Sequence, residues 1–115
     1  MANPKLLIED LVNLPDGLRI VRLTGPLTLT TVPEFQSKVR SDRSHKLILD
    51  FTHVPYLDSV GMGTLVDVNI RHRRDDNSVS LVGTSDRVRS VLKLSRVDRF
   101  FRFFDSLAEA QSKPD

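Results

Sequence analysis

The feature that most limits what this chain can become is the run Lys46-Leu47-Ile48-Leu49-Asp50-Phe51. It is short and nearly continuously apolar, as a strand covered on both faces should be, and is expected at the centre of a sheet. Upstream, Lys5–Val12 and Leu18–Thr24 are rich in branched apolar residues, and Pro15-Asp16-Gly17 between them signals a turn, so the two form a strand hairpin. Thr30 and Thr31 can both cap the helix that follows, with Pro33 in its first turn and Phe35 and Val39 at helical spacing, ending near Ser41.

Beyond the central run, Pro55 breaks the chain, and Met62, Leu65, Val66, Asn69 and Ile70 mark one side of a helix from about Val60 to Arg74. Ser78–Val82 is the next strand. Ser85 or Asp86 caps a third helix carrying Val88, Val91, Leu92 and Leu94, which gives way near Asp98 to a strand over Phe100–Phe104. Ser106 opens a short last helix. This order predicts one α/β domain over residues 1–111, a mixed, mostly parallel sheet with about four crossover helices, and a flexible tail over 112–115.

The 115 residues suffice for one such core and not two. Seventeen basic residues against fifteen acidic ones give no charge excess that demands a nucleic acid. No stretch approaches the roughly 20 apolar residues that span a bilayer, and no apolar leader follows Met1–Pro4, so a cytoplasmic protein is expected. The absence of cysteine removes disulfides, thiolate nucleophiles and cysteine-ligated zinc.

Tyr56-Leu57-Asp58-Ser59-Val60-Gly61-Met62-Gly63 falls between the central strand and the next helix, where open α/β sheets place binding sites. Ser59 stands where a helix N-cap is expected, and a hydroxyl there is also exposed. From the residues alone it is either an ordinary cap or a regulated hydroxyl. Gly61 and Gly63 each cost about 1 kcal/mol relative to alanine in a helix, which points to a close backbone approach and a flat surface suited to a partner.

Asp58-Ser59-Val60-Gly61-Met62-Gly63 resembles the STAS-domain signature Asp-Ser-(Ser/Thr)-Gly-Leu-Gly, matching four of six positions. The likeness extends from about Leu6 to Ala110 through the Leu47–Asp50 strand, the stretch Val88–Phe104 and Phe104-Asp105-Ser106-Leu107. It departs at Gly25-Pro26-Leu27-Thr28, where the family commonly has Gly-Glu-(Leu/Ile)-Asp near the serine, and at Arg96-Val97, where Gly-Leu is usual.

The resemblance implies an anti-sigma-factor antagonist, a binder and not an enzyme, with no cofactor. Ser59 is its implied phosphoacceptor, and Asp58, Ser59, Val60, Gly61, Met62, Gly63 and Thr28 its implied partner face. Its implied partners are an anti-sigma factor that is also a serine protein kinase, which phosphorylation of Ser59 would displace, and a PP2C-type phosphatase that would restore binding. The alternative within the family is a subunit or scaffold of a lipid-transport or stress-sensing complex without a phosphoswitch. A small enzyme or nucleotide binder using the Asp58-Ser59 turn is the rival from another class.

Other candidate chemistry is weaker. His45, His53 and His72 have no ligand-like spacing and read as loop or surface residues, so no metal is expected. Arg71-His72-Arg73-Arg74 reads as a solvated cationic helix end rather than an anion patch. Phe100, Phe101, Phe103 and Phe104 read as core, about half of them inward.

Overall fold

Leu47, Leu49 and Phe51 point to one side of the central strand and Ile48 to the other, and all four are fully buried. The computed structural model describes residues 5–14 and 17–113. In chain order these form β1 (Leu7–Asn13), β2 (Leu18–Thr24), α1 (Val32–Val39), β3 (Lys46–His53), α2 (Ser59–Arg74), β4 (Ser78–Val82), α3 (Asp86–Leu94), β5 (Arg102–Phe104) and α4 (Leu107–Ser112). A 3₁₀ turn, Asp98–Phe100, precedes β5.

The strands lie in the sheet in chain order. β1 and β2 are antiparallel with a bulge between Asp10 and Val12, and β2, β3, β4 and β5 run parallel. Of the expected hairpin turn, Pro15 and Asp16 lie outside the described residues, while the Gly17 amide donates to Leu14. Pro114 and Asp115 also lie outside them, and Ser112 is the last residue of α4.

The main core holds Val21 and Leu23 from β2, Phe35 from α1, Leu65 and Val68 from α2, Leu81 from β4 and Val88 and Leu92 from α3. A smaller core on the other face gathers Ile20, Ile48, Val82 and Ala110 under α4. Asp50 shares that second face and is buried opposite Arg22, whose Nε donates to it at 3.1 Å, while the Thr52 hydroxyl donates at 2.6 Å. Desolvation raises the Asp50 pKa, but these donors outweigh it and hold it below the usual carboxylate value.

Four local expectations need correction. Thr31 occupies the N-cap position of α1 without capping it: its hydroxyl donates to Pro26 at 2.8 Å and accepts from the Thr28 amide at 2.9 Å, holding the loop before the helix. Leu94 is 85% exposed because, as the last residue of α3, it falls off the stripe formed by Val88, Val91 and Leu92. The strand expected over Phe100–Phe104 keeps only its last three residues; Phe101 is buried and the other three phenylalanines are half-buried. His72 is no surface residue. It is buried with Nε2 2.7 Å from Asp42 and Nδ1 2.9 Å from the Val68 carbonyl, and Asp42 also accepts from Arg19, itself bound to Asp10.

Candidate functional site

The candidate site forms where β3 gives way to α2 and the loop after β2 comes alongside. Leu27 and Leu57 make an isolated parallel bridge that extends the β2–β3 pairing past the strand ends, and the Asp58 amide donates to the Leu27 carbonyl at 3.3 Å. Two loops distant in sequence are thereby sewn together.

Asp58, not Ser59, is the N-cap of α2. A carboxylate one residue earlier takes the role because its backbone is extended and Oδ1 accepts from the Gly61 amide at 2.8 Å. Its other oxygen, Oδ2, accepts from the Leu29 amide at 3.0 Å, so one side chain ties the helix start to the β2–α1 loop. Burial pushes the Asp58 pKa up, but the amides of Gly61, Leu29 and Val60 outweigh it and hold the group below the ordinary carboxylate value.

Ser59 is therefore the first residue of α2 and has no capping duty. It is exposed, and its hydroxyl makes no hydrogen bond among the described residues. Beside it Val60 is 39% exposed, and Leu29, across the Asp58 tether, is 65% exposed. Met62 is half-buried against the main core.

The two glycines do different work. Gly61 is buried, and a Cβ built on it would overlap the Leu27 carbonyl, so it permits the loops to close. Gly63 is exposed and has open space around its Cα. Thr28 is half-buried, its hydroxyl paired with that of Thr30 at 3.2 Å, while its carbonyl accepts from the Thr31 and Val32 amides. The fold thus brings Thr28 to the site through its neighbour Leu29.

Leu29 escaped the sequence reading because a single leucine among threonines carries no periodicity. Arg87, at the start of α3, lies 4.9 Å from the Tyr56 ring and brings a cation to this end of the sheet. Among the described residues no cluster of three or more potential ligands fits a metal ion, and no helix is long and apolar enough to cross a membrane.

Residues 11–110 match the family model described as the STAS domain, and the chain belongs to that family. An anti-sigma-B factor antagonist of Staphylococcus aureus is 27% identical over 78 residues, covering 65% of this chain and 72% of that protein. Among solved structures, an anti-sigma factor antagonist from Mycobacterium paratuberculosis superposes with a TM-score of 0.76 at 23% identity, covering 92% of each chain. The Bacillus cell fate determinant SpoIIAA in its phosphorylated form superposes with a TM-score of 0.69 at 18% identity, covering 92% of this chain and 96% of that one.

Proposed function

We propose that this chain is an anti-sigma-factor antagonist whose surface around Ser59 docks on an anti-sigma factor that is also a serine kinase, and that phosphate on Ser59 ends the docking. The observation that carries this reading is the unengaged, exposed Ser59 hydroxyl at the head of a helix held fixed by Asp58. A kinase needs such a hydroxyl, and a partner needs the apolar contact that Leu29 and Val60 supply on either side. The names of the relatives support the same role.

The switch works through charge. A phosphoryl group adds about −1.5 to −2 at neutral pH. The first-turn amides of α2 give it little relief, because those of Val60 and Gly61 already face the Asp58 carboxylate and that of Met62 bonds the Asp58 carbonyl. The dianion stays beside Asp58 and faces outward, where an apolar partner surface rejects it. A PP2C-type phosphatase would restore the binding form. The kinase supplies the nucleotide, metal and catalytic groups, and this chain the acceptor and docking surface.

The test is incubation with the serine-kinase anti-sigma factors of the same genome and ATP, read by mass spectrometry and a binding titration. One phosphate at Ser59 with loss of binding is expected. Phosphate elsewhere, or binding indifferent to it, would overturn the switch and leave a scaffold role.

A further inference from the structure

At the end of the sheet opposite Ser59, the C-terminal turn of α2, the start of β4 and the 3₁₀ turn before β5 enclose a cleft of about 690 Å³. The eight residues of β3 put roughly 25 Å between the two ends. Its size falls in the range of small-molecule sites.

Three properties of the cleft point the same way. Arg73 and Arg99 line it, and the Arg73 side chain has no hydrogen-bond or ion-pair partner among the described residues. Arg102 also lines it but sends its guanidinium over Phe104, and Asp76 supplies one opposing charge. Asn69, one turn before Arg73 on α2, forms part of the wall; it is 1% exposed and its Nδ2 is a buried donor with no partner. An unmet buried donor is costly, and here its residue lines a space of ligand size together with two arginines. Phe100 adds an aromatic wall, with the Arg99 guanidinium 5.7 Å from its ring inside the same cleft lining.

We propose that this cleft binds a small organic phosphate, its anionic head on Arg73 and Arg99 and an acceptor oxygen on the Asn69 amide. Guanidinium groups are suited to such a head because they offer paired donors to a phosphate. The site is separate from the Ser59 face and does not rest on the role assigned there.

The experiment is an NMR titration of the full chain with inorganic pyrophosphate at low salt. A saturable response that includes the Asn69 side-chain amide and the backbone of Arg73, Asn77 and Phe100 is expected. The double variant Arg73→Gln/Arg99→Gln should weaken it by about tenfold or more. Arg89→Gln, whose guanidinium lies over Phe103, should leave it unchanged. Asn69→Leu should raise the melting temperature by removing the unmet donor while lowering affinity, a pair of opposite changes that a purely structural asparagine does not produce. No saturable shift, or shifts that survive the double variant, would overturn the proposal. So would cosedimentation with phosphatidylglycerol vesicles without a pyrophosphate response, which would identify a membrane surface instead.

Discussion

The carbonyl oxygen of Leu27 lies against the Cα of Gly61, leaving no room for a side chain between them. Gly61→Ala is expected to push the two loops apart and cost about 1–3 kcal/mol. Gly63→Ala, with open space around it, should instead gain up to about 1 kcal/mol from helix propensity. Thermal melts of the two variants check this contrast, and equal effects would contradict the assigned geometry.

Ser59 separates binding from stability. Because Asp58 is the cap, Ser59→Ala should change stability by no more than about 0.5 kcal/mol, keep partner binding and abolish its response to kinase. Ser59→Asp places a charge on the proposed docking face and should weaken partner affinity by roughly 30-fold to 1,000-fold, about 2–4 kcal/mol. Calorimetric titration of both variants against the isolated partner decides the matter; equal affinities would sink the switch.

Asp58→Ala removes the cap and the Leu29 tether together and should cost about 1–2 kcal/mol. Asp58→Asn retains an acceptor oxygen and should recover part of that loss. Hydrogen exchange of the Leu29 amide reads the tether directly, and protection unchanged in the alanine variant would refute it.

Acid should destabilise the fold through Asp42. Burial raises the pKa of this carboxyl, but hydrogen bonds from His72, Ser44 and Arg19 overcome it and lower the pKa from 3.8 to about 2. A depressed folded-state pKa means stability present above the unfolded value and lost as pH falls from about 4 through 2, here roughly 2 kcal/mol. Asp50 and Asp58 are shifted in the same direction and act with the same sign. Urea midpoints measured across this window should show a shallower fall for Asp42→Asn.

Arg96 adopts a left-handed backbone, φ 60°, at the end of α3, where its amide bonds the Lys93 carbonyl and the Val97 amide bonds that of Leu92. The family's usual glycine suits that conformation without strain. Arg96→Gly should therefore stabilise the protein by about 0.5–1 kcal/mol, read as a rise in melting temperature of about 2–6 °C. A lowered melting temperature would show that the Arg96 side chain contributes more than its backbone costs.

Much of the fold was legible because β3 carries a strong local pattern, whereas α2 buries Thr64, Leu65, Val68, Asn69 and His72 and leaves Ile70, expected on its inner side, 47% exposed. The apolar run Leu47–Phe51 allowed only a covered strand, and Ser85 and Ser106 cap α3 and α4 with their hydroxyls. What failed depends on distance. His72 looked like part of a solvated cationic end because its partner Asp42 lies thirty residues away, across the α1–α2 packing. The cap of α2 falls one residue earlier than expected because aspartate and serine serve almost equally well there, and the Gly61 amide, bonded to the Asp58 carboxylate, shows which side chain takes the role. Gly61 and Gly63 look alike in sequence, and only the carbonyl of Leu27 distinguishes them.

The sheet keeps the order in which the chain is made. Each strand emerging from a ribosome finds its neighbour already synthesised, so the sheet can grow from one edge by accretion, with no strand waiting for a later one to be inserted beside it. The Ser59 surface draws its hydrogen bonds from the β2–α1 loop and the head of α2. All of its parts therefore leave the ribosome before β4 does, and the proposed docking surface is fully synthesised while the second half of the sheet is still to come.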